Sequence, residues 1–115
     1  MNTKINYLYC DGGNYKRRQE AIVAGIFTKD DRVIIQNALD DGLWFIPEQI
    51  GLSCDRFSEY ETDEYDHCFC ELEIDNDFEE TEDPPTVDMT AEDITKAFSL
   101  ALANGWDVVK YAIIF

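Results

Sequence analysis

His67, Cys68 and Cys70 form the one cluster of soft ligands and nucleophiles in this 115-residue chain, which has a single histidine and four cysteines. Structural zinc asks for four ligands, and Cys10 and Cys54 are the other thiols available. On a strand, neighbouring side chains point to opposite faces, so His67 converges neither with Cys68 as a catalytic dyad nor with Cys70 on one ion. Cys68 and Cys70 do share a face, but Leu72 and Ile74 lie on it too, a setting in which thiols serve as small hydrophobes. One residue separates these cysteines, whereas a thioredoxin-type pair has two between them. Any Ser-His-Asp or Cys-His arrangement would have to use His67. The pattern assigns no catalytic residue, no metal ligand and no cofactor. A small metal-binding or catalytic domain using His67, Cys68 and Cys70 stands as the alternative.

Two further loops resemble ligand sites and fall short. Asp11-Gly12-Gly13-Asn14-Tyr15-Lys16 is glycine-rich but lacks the spacing of a phosphate-binding loop. Asp75-Asn76-Asp77-Phe78-Glu79 has the alternating oxygen donors that open a calcium loop. The glycine required at that loop's sixth position is Glu80 here, and the bidentate glutamate at its twelfth is Thr86. Arg17 and Arg18 are adjacent bases, which could hold an anion or answer the acidic half of the same molecule.

Carboxylates are the chemistry this chain has in quantity. From Asp55 to Asp93 there are seventeen acids against one base, Arg56, a net of −16 over 39 positions, while the two flanks nearly cancel. Seven Phe, six Tyr and two Trp argue for a folded domain rather than a disordered acidic tail. Such a surface repels nucleic-acid phosphates and anionic lipid, so direct contact with DNA, RNA or a membrane is disfavoured. No stretch approaches the roughly 18 apolar residues of a membrane span, and Met1-Asn2-Thr3-Lys4 opens no signal-peptide core. The expectation is a cytoplasmic protein with reduced thiols.

The length suits one domain, residues 1–115, with an acidic strand-and-loop region at 55–93. Lys4 to Cys10 alternates as a first strand, the Asp11–Asn14 turn follows, and Glu20 to Phe27 reads as a second strand antiparallel to it. Thr28 or Asp30 can cap a helix with Val33, Ile34, Ala38 and Leu39 as its stripe and Gly42 at its end. A hairpin strand through Arg32–Ile35 competes with that helix, but Gln36–Asp41 has little β character. Leu43–Ile46 is a short apolar run, and Pro47–Gly51 suits a single helical turn.

His67 to Asp75 alternates strictly, which predicts a strand with Glu71, Glu73 and Asp75 on one face. Acids on one strand face recur about every 6.7 Å, half the linear density of phosphates along one DNA strand. The flanking loops, predicted at 53–66 and 76–88, would supply the remainder. Thr90 caps a second helix, with Asp93 completing the capping box and Ile94, Ala97, Phe98, Ala101 and Leu102 as its stripe, before Gly105 stops it. Trp106 to Phe115 is apolar enough for a last strand, with a short helix as the alternative. The fold class expected is α+β, a small mainly antiparallel sheet with two helices packed on one face.

Tyr7-Leu8-Tyr9-Cys10-Asp11-Gly12-Gly13-Asn14-Tyr15-Lys16 resembles the opening of a group of short acidic bacterial proteins of unknown function, which begin Tyr-Leu-Tyr-x-Asp-x-x-Asn-Tyr-Lys. Phe45–Leu52 and Asp66-His67-Cys68 resemble their middle and later segments, so the likeness spans roughly residues 5 to 80. It implies a compact cytoplasmic domain and no activity. Cys10 stands where that group often has Arg.

The functional expectation is a non-enzymatic acidic protein that blocks the basic surface of a nucleic-acid-binding protein. A DNA-mimic inhibitor or an immunity-type protein would work in this way, and a phage-encoded anti-defence protein is one version. The residues expected to meet the partner are Glu59, Tyr60, Glu61, Asp63, Glu64, Tyr65, Asp66, Glu71, Glu73, Asp75, Asp77, Glu79 and Glu80. Tyrosines among carboxylates suit arginine-rich surfaces through cation–π contact and paired hydrogen bonds. A structural subunit whose acids only confer solubility is the remaining alternative.

Overall fold

The computed structural model describes residues 1–10, 16–54 and 69–107. Its longest pairing is an antiparallel hairpin of β1 (Asn2–Cys10) and β2 (Lys16–Ala24), with Asn2 opposite Ala24 and Cys10 opposite Lys16. The second strand thus starts and ends earlier than the sequence predicts, taking Arg17 and Arg18 into the sheet. Thr3, Ile5, Tyr7 and Tyr9 of β1 are buried, as the alternation requires, and Ala21 and Val23 lie beside them from β2. After β2 the chain enters α1 (Lys29–Ala38), then β3 (Trp44–Phe45), a 3-10 turn (Pro47–Ile50), β4 (Cys70–Glu71), a single helical turn α2 (Ile74–Asp77), β5 (Phe78–Thr81) and α3 (Ala91–Asn104).

The sheet runs β2-β1-β4-β3, with β5 also paired to β1, and all its strand pairs are antiparallel. Ile35 and Ala38 of α1 and Ile94 and Phe98 of α3 share one apolar cluster with Ile5, Tyr7, Tyr9 and Val23, so both long helices cover the same sheet face. This is the α+β architecture expected. Aromatic rings link the layers in sequence. Tyr7 meets Phe45 edge-on at 5.6 Å, Phe45 lies 5.6 Å from Phe98, and Phe98 lies 5.9 Å from Trp106.

Both helices begin with reciprocal caps. Thr28 caps α1 with Asp31, and Thr90 caps α3 with Asp93, each side chain accepting from the other residue's main-chain N–H. The phase of α1 differs from the expected stripe. Val33 and Ile34 are exposed and Ile35 is fully buried, because packing against the sheet-borne core selects Ile35 from three consecutive apolar residues. In α3, Leu102 is exposed while Ala91, Ile94, Thr95, Phe98 and Ala101 face inward. Leu39, not Gly42, caps the end of α1; Gly42 instead sits at positive φ in the turn that leads to β3.

The C-terminal end of α3 is pinned by polar contacts. Trp106 Nε1 donates to the Ala38 carbonyl at 2.9 Å, satisfying one of the acceptors that a helix end leaves open. Gln49 Nε2 donates to the Gly105 carbonyl, and its Oε1 accepts from the Asp107 N–H. The strand or helix expected over 106–115 lies mostly outside the described residues; Trp106 and Asp107 themselves are irregular. Gly51 cannot be replaced freely: its φ is +93°, and a Cβ there would lie 2.7 Å from Met89 Sδ.

The α3 cap carries a pH signature. Hydrogen bonds from the Thr90 main chain and hydroxyl hold the Asp93 carboxyl below its ordinary value of 3.8. A depressed folded-state value stabilises the fold fully above the unfolded carboxylate's range, and that contribution is lost as pH falls below about 4. Thr90→Ala should cost about 1 kcal/mol of stability at neutral pH, read as a lower urea midpoint. Asp93→Asn should flatten the part of the acid-limb loss of stability that this cap causes.

Candidate functional site

The alternation from His67 to Asp75 does not produce one strand. Leu8 of β1 lies opposite Glu71, and Ile5 lies opposite Phe78. Three steps along β1 are therefore matched by seven along its neighbour, and the four extra residues form about one turn of helix. β4 and β5 are two pieces of one strand with α2 looped out between them. The side-chain alternation still persists through the break: Cys70, Leu72 and Ile74 are buried, and Glu71 and Glu73 are not.

Local chemistry explains why the chain leaves the sheet here. Asp75, Asn76 and Asp77 have low β preference and readily hydrogen-bond nearby main chain. Asp77 Oδ2 accepts from the Glu73 N–H at 2.8 Å, and Asn76 Nδ2 donates to Glu73 Oε2 at 2.7 Å. Ile74, buried beneath, anchors the turn to the core. The stretch with calcium-like spacing is therefore half helical turn and half strand, not a loop, and residues 78–81, expected as loop, are β5.

This geometry redistributes the expected acidic ladder. Glu71 is half-buried on the sheet face away from the helices, in register with Leu8 and Trp44, with Arg18 on the far side of Leu8. Glu79, on that same face, lies opposite Lys4. With Glu20 opposite Asn6, this face carries both signs of charge. Glu71, Glu73 and Asp75 do not form a single-face ladder, because Glu73 and Asp75 belong to the looped-out turn.

The densest acidic feature is instead the sheet edge made by α2, β5 and the segment after it. Asp75, Glu79, Glu80, Glu82 and Asp83 are exposed there, and Asp77 is half-buried. Residues 69–93 hold eleven acids and no base. Among the described residues, none of Glu71, Glu73, Asp75, Asp77, Glu79 and Glu80 forms an ion pair with a base; Glu92 pairs with Lys96 at 3.2 Å. Arg32 of α1 lies over the Phe78 ring at 5.5 Å, and Phe78 in turn stacks on Phe27 at 4.6 Å. Among the described residues β5 pairs with β1 alone, leaving its other main-chain edge open.

Glu82 and Asp83, which fall in the flanking loop expected to supply the remainder of the acidic surface, extend this edge. Thr81 Oγ1 accepts from the Asp83 N–H, and the Asp83 carbonyl accepts from Asn2 Nδ2, which fastens the strip to the start of β1. Glu59, Tyr60, Glu61, Asp63, Glu64, Tyr65 and Asp66, together with His67 and Cys68, lie outside the described residues. Cys70 has no exposed surface, in keeping with a thiol packed as a small hydrophobe. Among the described residues, no group of three or more His, Cys, Asp or Glu side chains is placed to hold a metal ion, and no helix is long and apolar enough to cross a membrane. Comparison with protein-family models, curated proteins and solved structures finds no match to this chain.

Carboxylates crowded on one edge without bases repel one another, and salt screens that repulsion. The double variant Glu80→Lys with Glu82→Lys, neither of which lies opposite a base, should therefore raise the urea midpoint at low ionic strength. The gain should shrink toward zero by about 1 M NaCl, where the screening length is near 3 Å. A midpoint unchanged at low salt would mean that the edge is already neutralised.

Proposed function

We propose that this protein is a non-enzymatic acidic binding protein whose α2–β5 edge covers the basic surface of a nucleic-acid-binding protein. One observation carries the reading. From Glu73 to Asp83 seven acids and no base follow one another along an edge of the sheet, most of them exposed. Protecting an edge strand from aggregation takes a charge or two, so a run of this length exceeds that need. It complements Arg and Lys side chains that otherwise meet phosphates.

The mechanism is competition. Long-range attraction speeds encounter between an acidic edge and a basic groove, and the occupied groove no longer admits nucleic acid. Catalysis forms no part of this role, and the proposed site of action is the cytoplasm, beside the target. A DNA-mimic inhibitor and an immunity-type protein both act in this way.

Capture from a bacterial lysate at low salt, followed by a salt gradient, tests the reading. One basic nucleic-acid-binding protein should be retained and released by salt, and the wild-type chain should displace duplex DNA from it. The Glu79→Lys, Glu80→Lys variant should do so at least about tenfold less well, mainly through slower association. A diffuse set of basic proteins eluting early, retained equally by the variant, would reduce the acids to a solubilising surface.

A further inference from the structure

We propose that Cys54 and Cys70 form a peroxide-sensitive clasp that joins the two ends of the segment between them. Their Sγ atoms lie 3.3 Å apart although the residues are sixteen apart in sequence. Both side chains are positioned by independent contacts. Cys70 is fully buried in β4 between Tyr9 and Phe45. Cys54 follows Leu52, which is buried in the same core, and Ser53, whose carbonyl accepts from Tyr7 Oη. A disulfide needs the sulfurs at about 2.05 Å, a closure of roughly 1.3 Å from the present contact.

The half-buried thiol, Cys54, is the one an oxidant reaches first. A hydroperoxide is the co-reactant. The Cys54 sulfur attacks the terminal peroxide oxygen, the O–O bond breaks, and the leaving oxygen takes the thiol proton. For hydrogen peroxide that product is water, and Cys54 becomes a sulfenic acid. The Cys70 sulfur then attacks the Cys54 sulfur. The S–S bond forms, the S–O bond breaks, and hydroxide leaves as water with the Cys70 proton. Two thiols are oxidised and one peroxide is reduced. The product closes a covalent loop around residues 55–68, which hold six acids. This clasp does not depend on the identity of any partner.

The test treats the full-length chain with hydrogen peroxide and maps its tryptic peptides without reduction. Cleavage at Arg32, Arg56 and Lys96 places Cys54 in peptide 33–56 and both Cys68 and Cys70 in peptide 57–96. These two peptides should be joined in the wild type and in Cys68→Ser, be separated by dithiothreitol, and stay unjoined in Cys54→Ser and Cys70→Ser. The oxidised wild type should also show a higher urea midpoint than the reduced protein, because the closed loop restricts the unfolded chain. A link that survives in Cys70→Ser, a disulfide between two chains, or a Cys54 sulfenic acid trapped with no link to Cys70 would each overturn the clasp. Cys54→Ser alters only a half-buried position, so it remains a usable control if Cys70→Ser does not fold.

Discussion

Strand β1 is the constraint on which the remainder of the structure depends. One of its edges is taken along its whole length by β2, and the other is shared between β4 and β5. Its inward side chains, Ile5, Tyr7 and Tyr9, form the floor on which α1 and α3 rest. Since β1 supplies the ladder for both pieces of its second neighbour, residues that pair with neither piece must leave the sheet. Those residues become α2, and the acids it carries are displaced from the sheet face to the sheet edge. The position of the carboxylates thus follows from a pairing register and not from their own preferences.

That displacement bears on what the acids can do. A ladder on the open sheet face would have been interleaved with Lys4 and Arg18, which partly cancel it. At the edge, Asp75, Glu80, Glu82 and Asp83 are exposed around a single turn and a short strand with no base among them in sequence, while Glu79 faces Lys4 across the β1–β5 pair. Like charges gathered there destabilise the folded state, a cost that a purely structural surface has no reason to carry. Asp77 and Glu73 differ from the others, because their side chains also hold the turn together. Substituting either would confuse binding with folding, whereas Glu79 and Glu80 are free of that double duty.

Much of this was legible in the residues. The alternation of Ile5, Tyr7 and Tyr9, the Thr90–Asp93 capping box and the Pro47 turn each follow from local chemistry, and each is present. What could not be read was set by long-range pairing. The alternation through Cys70, Leu72 and Ile74 correctly gives which side chains are buried, but a buried-exposed rhythm is equally compatible with a strand that breaks after Glu71. The phase of α1 is ambiguous in the sequence because Val33, Ile34 and Ile35 are all apolar; only packing against the sheet selects Ile35. The approach of Cys54 to Cys70 had no local signal, since it depends on Leu52 and Ser53 being held against β1 and the core. The acidic edge was visible as composition, while its placement required the register.

The proposed role stands or falls on whether the α2–β5 edge is the surface that meets a basic partner. Hydrogen–deuterium exchange of the protein, alone and bound to whichever basic nucleic-acid-binding protein the capture experiment retains, decides this. Peptides covering residues 73–83 should exchange more slowly on binding, with those of α1 and α3 unchanged. Protection confined to α1 or α3, with 73–83 exchanging as in the unbound protein, would contradict that role.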